Sequence, residues 1–496
     1  MESEVRDTQV AVIGGGITGT AIARELSKYQ VEVCLLEKEP DLGWGITKGS
    51  QGLVHGGIAY LSSRIVKRLD TKLEFKSFLE QDLNMKERLG FEGREMFFEL
   101  APLLNVEIVQ CGRVMVAEND GELETLKLIK EVAEERGIGG IEILDRKGLE
   151  EKESLINPKF IGGLYDPSEC AISPVEWAIA FGENARENGV HVLTEHEVRG
   201  IEKRNGYYLI QTSKGSIKAE YVVNAAGVYA DEISGMVGRD DFSIFFFHCQ
   251  MLILENRDYI YHAVCRLPQP GRPRLLVPTT EGNIIVSHTM DRETNKHNLG
   301  TTREGLKVLF SIPADLIPII SPNKDTLTSF VGFLAFNTKI PDDYLLDSPQ
   351  KKFINAVICP PGLGPAPALA REIVKMLDKE GLELAKKTDF NPHRVKAPRF
   401  IKLNNEDKNK KIHEDPRYGH IVCHCEKVTE GEIIGAVKRG ANTLDGVKFR
   451  TRAGMGRCQG NFCSPKIADL LTKELHRSFE HITKKGQGSN YISSKE

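Results

Sequence analysis

Apolar and polar positions change pattern several times along this chain. Residues 8–39, TQVAVIGGGITGTAIARELSKYQVEVCLLEKE, open with the apolar run Val10 to Ile13, as a strand covered on both faces does. A glycine turn interrupts it, a helical stretch follows, and a second apolar run from Val31 to Leu36 ends at Glu37. Residues 191–233 predict a strand with Val198, a hairpin, and a further strand ending at Asn224-Ala225-Ala226-Gly227. Residues 354–377, INAVICPPGLGPAPALAREIVKML, predict a strand, a Pro/Gly turn and a helix. The stretches about 90–150 and 240–350 alternate as strands do, as in FSIFFFHCQMLIL and NIIVSHTM, and predict a second, β-rich sheet. The fold class expected is α/β: a Rossmann-like domain, an inserted β-rich substrate domain, and a small helical module at the C-terminal end.

That module follows NNEDKNKKIHEDP (404–416), which is almost free of apolar side chains and reads as a linker. Thr429 and Glu432 form a capping box for one short helix that ends near Gly440. A second helical turn spans Leu444 to Phe449. Ser464 and Pro465 signal the start of a third helix, Lys466 to Leu475. The divisions are 1–400 for the main region, 401–417 for the linker, 418–478 for the module and 479–496 for a flexible tail. Within the main region, segments 8–62, 160–235 and 350–385 belong to the nucleotide-binding half.

Charge adds one feature. The 496 residues carry a net charge of −4, which gives no reason to expect nucleic acid as a partner. Residues 416–496 hold 14 Lys and Arg against 8 Asp and Glu, while the rest is acidic by ten. The module is therefore basic beside an acidic body. No run of apolar residues is long enough for a transmembrane helix. The charged N-terminus enters a strand at once, so the expected location is cytoplasmic, with membrane association only through a partner. Cys34, Cys111, Cys170, Cys249, Cys265 and Cys359 are scattered singly, as buried thiols of a reducing compartment are.

The turn Gly14-Gly15-Gly16-Ile17-Thr18-Gly19 has the chemistry of a dinucleotide site. Gly14 permits the tight turn, Gly16 lets backbone approach a pyrophosphate, and Gly19 lets helix and strand pack closely. The helix N-terminus offers free N–H groups to phosphate. Glu37, eighteen residues past Gly19, is placed to accept from a ribose.

Four segments together resemble the FAD-dependent oxidoreductases of the D-amino-acid-oxidase and glycerol-3-phosphate-dehydrogenase superfamily, over roughly residues 8–385. They are the glycine turn, GITKGSQGLVHGGIAYL (45–61), residues 191–233 and residues 354–377. The resemblance implies FAD as cofactor, with Lys38, Thr47, Ser50, Gly52, Leu53 and His55 contacting it besides the glycine-turn residues and Glu37. Val198, Ala226 and Gly227 would lie toward the adenine, and Gly362, Leu363 and Gly364 beside the flavin ring. His55 is the catalytic candidate, an imidazole placed to take a hydroxyl proton while hydride leaves. Tyr60 and His248 are weaker candidates.

The resemblance breaks at two arginines. The family's flavin loop runs His-Gly-Gly-x-Arg-Tyr, where this chain has Ala59, and its Ala-Gly-x-Arg motif meets Leu334 here. A desolvated anion needs pairing, so other cations are expected to serve: Arg64, Lys67, Arg68, Arg272, Arg274 or Arg292. Otherwise the substrate is smaller or less anionic.

Cys423, Cys425, Cys458 and Cys463 give C-x-C followed by C-x4-C, a set of four thiolates suited to a metal or cluster. Zinc is the rival. Residues 421–475 resemble the bacterioferritin-associated-ferredoxin-like domain, which implies a [2Fe-2S] cluster on these four cysteines. Arg450, Arg452 and Arg457 are expected to stabilise it.

The function implied is oxidation of glycerol 3-phosphate to dihydroxyacetone phosphate, with electrons passing from FAD through the cluster. The substrate is a small hydroxylated anion. The partner is an electron-accepting flavoprotein subunit or a small carrier within a hetero-oligomeric complex. Two alternatives stand: a 2-hydroxy-acid dehydrogenase of the L-2-hydroxyglutarate type, and a non-catalytic electron-transfer subunit.

Overall fold

A computed structural model describes residues 5–60, 84–267, 274–396 and 399–492. Strand β1 (Val5–Ile13) leads through the glycine turn into helix α1 (Ile17–Leu26) and on to strand β2 (Val33–Leu36), which pairs with β1 in parallel. Among the described residues these strands belong to an eight-stranded sheet. Its order runs Val198–Arg204, Tyr207–Thr212, Gly215–Asn224, β1, β2, His191–Leu193. Phe353–Val357 joins Gly215–Asn224 in parallel at its C-terminal end. Helices α1, Pro174–Glu187 and Ala366–Lys379 share one apolar core with this sheet and with the helix Met85–Leu104. Trp177 and Phe97, 4.6 Å apart edge to face, sit at its centre.

Among the described residues a nine-stranded sheet forms the second layer. Its longest pair, Ile244–Glu255 against Thr326–Asn337, is antiparallel and sets Phe247 opposite Leu334 and Cys249 opposite Gly332. The β-rich expectation fails for residues 85–104, which are helical, and for Asp120–Glu135, also a helix. The first helix is fixed by the reciprocal Asn84–Glu87 capping box and ends at Asn105 in the left-handed region. Caps thus outweigh a strand-like alternation.

A small sheet, three-stranded among the described residues, matters more for function. Leu53–Val54 pairs with Cys170–Ile172, which also pairs with Ile108–Val109. This pairing sets His55 beside Glu169.

Part of the expected linker is the helix Asn405–Glu414, which buries no residue. Asn404 caps it, Glu406 and Asp407 occupy its first turn, and Lys411 and His413 its last, so charge placed along the dipole holds what apolar packing does not. The C-terminal module contains helices Glu430–Lys438, Leu444–Thr451 and Ser464–Leu475 around its own core. The capping box at Thr429 and Glu432 is formed, while the third helix begins one residue after Cys463, which takes the N-cap position. Within the expected tail, Tyr491 N–H donates to the Ile482 carbonyl and its ring packs on Phe479. No helix among the described residues is long and apolar enough to cross a membrane.

Candidate functional site

A cavity of about 600 Å³ runs from the end of β2 to the turn before Ala366. Gly14, Gly16, Ile17, Thr18, Glu37 and Lys38 line its nucleotide end, with Val198, Ala226 and Gly227 close by. Thr47, Ser50, Leu53 and His55 line its middle, and Gly362 and Leu363 its far end. Three of the other expected residues act behind the wall. A Cβ on Gly19 would lie 1.8 Å from the Gly14 carbonyl oxygen, so only glycine lets α1 sit this close to the turn. Gly52, at φ +80°, accepts from Ile172 N–H and fastens the middle of the wall to the three-stranded sheet. Gly364 packs beside Tyr60.

The cavity's nucleotide end is built for phosphate and ribose. Gly16 takes the N-cap position of α1 and offers no side-chain cap, so the first N–H groups of the helix are left for a ligand, apart from that of Ile17, which donates to Thr47 Oγ1 at 3.0 Å. Glu37 accepts from Gly15 N–H at 2.6 Å and Glu39 N–H at 2.8 Å. Burial pushes its pKa up to about 7 against those two bonds. Lys38 sits 3.5 Å over the Tyr229 ring.

The middle of the cavity holds a charged constellation that the sequence did not disclose. His55 Nδ1 lies 2.7 Å from Glu169 Oε1, Arg113 Nη2 donates to the same oxygen at 2.7 Å, and Gly56 N–H donates to Oε2 at 2.9 Å. Glu169 is fully buried. Burial alone would raise its pKa, yet the Arg113 guanidinium, His55 and the Gly56 N–H together hold it down near 2. An ionised, acceptor-only carboxylate at Nδ1 selects the tautomer that carries the proton there. Nε2 is then the nitrogen able to accept one. Tyr60 is buried behind His55, against Gly90 and Gly364, and does not line the cavity. Burial pushes its pKa well up. His248 is buried opposite Phe333 and is also off the lining.

Ala59 and Leu334, which replace the family's arginines, both line the cavity. Arg274 is instead paired with Asp315 at 2.9 Å, and Arg292 stacks over Phe245 and Phe247; neither reaches the lining. Arg64, Lys67, Arg68 and Arg272 lie outside the described residues. Lys86, in the first turn of Met85–Leu104, does line the cavity, as does His288. Sequence reasoning passes over both.

In the module the four thiols meet as two pairs. Cys425 Sγ lies 3.5 Å from Cys458 Sγ, and the free thiols of Cys423 and Cys463 share a hydrogen bond. That hydrogen bond, with the N–H groups of Gly454 and Glu426, favours the Cys423 thiolate and holds its pKa below the ordinary thiol value. Four thiols in two neighbouring pairs are the donor set that a [2Fe-2S] cluster takes. A Cβ on Gly456 would lie 2.3 Å from the Cys425 Cβ, so glycine allows the two cysteine segments to close up. The arginines expected to serve the cluster are drawn into ion pairs: Arg450 with Asp41 and Glu183, Arg452 with Glu426 and Glu281, Arg457 with Glu255.

Fold and cavity thus define a flavin-dependent oxidoreductase with an attached iron–sulfur module. The FAD dependent oxidoreductase family matches residues 9–376, and the chain belongs to it; the BFD-like [2Fe-2S] binding domain matches residues 421–473. FAD and a [2Fe-2S] cluster are its cofactors. The chain is 36% identical over 492 residues to the glycerol 3-phosphate dehydrogenase of Caloramator mitchellensis, covering 98% of both chains. It is 24% identical to one subunit of the anaerobic glycerol-3-phosphate dehydrogenase of Escherichia coli K12, covering 95% of this chain and 89% of that one. Its fold is similar to that of the FAD-bound, dithionite-reduced L-alpha-glycerophosphate oxidase of Mycoplasma pneumoniae, with a TM-score of 0.70 at 24% identity over 79% of this chain and all of the other.

Proposed function

We propose that this protein oxidises glycerol 3-phosphate to dihydroxyacetone phosphate and passes the electrons through its [2Fe-2S] module to an external acceptor. The carrying observation is His55, held at the cavity wall by the buried Glu169 with Nε2 available as a base. FAD, when bound, supplies the hydride acceptor, and the cluster supplies one-electron transfer. His55 Nε2 takes the proton of the substrate's secondary hydroxyl as the hydride leaves the same carbon, giving the ketone. Glu169 keeps the imidazole oriented and stabilises the imidazolium that results. The long similarity to a glycerol 3-phosphate dehydrogenase supports this substrate. The L-2-hydroxyglutarate dehydrogenases that are similar, such as the human enzyme, align with only 46% of the chain.

Lys86 takes the phosphate in this reading, replacing the family's arginines. Lys86→Met is expected to raise KM for glycerol 3-phosphate about tenfold or more with little change in kcat, the signature of lost uniform binding. Steady-state kinetics check this.

The electrons leave by the exposed side of the module. Cys425 is exposed there, and Phe462, directly before Cys463 in the chain, is 73% exposed. The E. coli relative is one subunit of its enzyme, which supports assembly with a partner. The test is an anaerobic visible spectrum of the holoprotein before and after excess glycerol 3-phosphate. Bleaching of flavin and cluster bands supports the proposal. An intact flavin band in fully loaded protein overturns it.

A further inference from the structure

The basic module and the acidic body complement each other inside one molecule. Four arginines of the module meet four acids of the flavin region: Arg450 with Asp41 and Glu183, Arg439 with Glu183, Arg452 with Glu281 and Arg457 with Glu255. The acidic surface that the module's charge calls for is therefore, in large part, its own chain.

Arg450 is the buried centre of this interface. Its side chain is 2% exposed and donates to Asp41 Oδ1 at 2.9 Å, to Asp41 Oδ2, and to Glu183 Oε1 at 3.1 Å. Glu183 also receives Arg394 Nε at 2.7 Å. A buried ion network contributes little net stability, because each charge has lost its water. What it does well is fix one geometry, since a shift leaves a buried charge unpaired.

The geometry it fixes includes the nucleotide loop. Asp41 precedes Leu42, whose side chain packs against Gly15, and Gly43 N–H donates to the Gly15 carbonyl at 2.8 Å. Gly15 in turn donates to Glu37. On the module side, Gly446 comes so close to Asp41 that a Cβ would lie 3.0 Å from Oδ2, and Phe449 meets Trp44 edge to face. One contiguous set of contacts therefore joins the helix Leu444–Thr451 to the turn that receives the pyrophosphate.

We propose that Arg450 is a positioning residue that couples the two halves: docking of the iron–sulfur module braces the Gly14–Gly19 turn for FAD, and bound FAD in turn secures the module. Coupling between two sites is reciprocal, so each half must report on the other. The inference rests on FAD as cofactor and not on the substrate, so it stands or falls separately from the proposed reaction.

The experiment strips FAD from the full-length protein and titrates it back, in the wild type and in Arg450→Met, Arg450→Lys and Lys484→Ala. Lys484 pairs with Asp445 at the module surface and serves as control. Arg450→Met is expected to raise the FAD Kd about 5- to 150-fold. Arg450→Lys should fall between it and the wild type, and Lys484→Ala should match the wild type. Hydrogen exchange in Leu444–Thr451 should rise when wild-type protein loses FAD. Should Arg450→Met not fold, Arg450→Lys and the wild-type exchange measurement decide. Unchanged FAD affinity in the Arg450 variants, or exchange in Leu444–Thr451 that ignores FAD, overturns the proposal.

Discussion

Replacing His55 with Asn lowers the rate of anaerobic flavin reduction by glycerol 3-phosphate by about 10²- to 10⁴-fold, the usual contribution of a general base. The FAD spectrum of the resting protein should stay unchanged, because Asn keeps a polar side chain of similar reach. Stopped-flow absorbance measures both. Glu169→Gln separates orientation from proton transfer. It keeps the shape but removes the charge, so the guanidinium of Arg113 and the imidazole compete for a neutral oxygen. The rate should fall less than in His55→Asn, because the base stays in place while its orienting partner loses its charge. With its pKa held near 2, Glu169 is ionised throughout the working range. The stability it provides is present above its unfolded value and is lost only as pH falls toward 2. A His55→Asn variant that reduces flavin at the wild-type rate would remove the base from the mechanism.

The parts of the site legible in the sequence are those whose chemistry is local. Gly14, Gly16 and Gly19 work within one turn, and Glu37 ends the very next strand, so spacing alone announces them. Cys423 with Cys425, and Cys458 with Cys463, are likewise close in sequence, the second pair within a glycine-bearing turn. Glu169 and Arg113 are of another kind. They lie 114 and 58 residues from His55 and reach it only because Leu53–Val54 pairs with Cys170–Ile172 and the nine-stranded sheet presents Arg113 behind them. No period or motif marks such residues. Uneven charge offers a halfway case. Its presence in the module is visible, but a net surplus carries no direction, and the arginines face Asp41, Glu183, Glu255 and Glu281 in the same chain. The helix Met85–Leu104 reads as strand because alternation over a few residues occurs on helices too, and the Asn84–Glu87 capping box settles the matter. The charged stretch 404–416 reads as linker for the converse reason: a helix needs no apolar face where caps and dipole-matched charges hold it.

Cys458→Ala abolishes the cluster while leaving flavin reduction by substrate intact. Cys458 is only half-buried and stands outside the module's apolar core, which includes Cys423 and Cys463. Its loss therefore removes one thiolate of the Cys425–Cys458 pair without opening a cavity, and the buried Arg450 network still docks the module. Iron content should fall to background, since a cluster of this type is held by all four thiolates. Single-turnover reduction of FAD by glycerol 3-phosphate should stay within about twofold of wild type, because the His55 side of the cavity is untouched. Turnover with a one-electron acceptor, by contrast, should collapse, as electrons then have no route from flavin to the exposed Cys425 face. Three readings of one variant separate the claims. Normal iron content in Cys458→Ala would refute the four-cysteine assignment. Undiminished one-electron turnover without iron would mean that the flavin delivers electrons directly, and the module would then be a bracing element for the nucleotide turn and not a conductor.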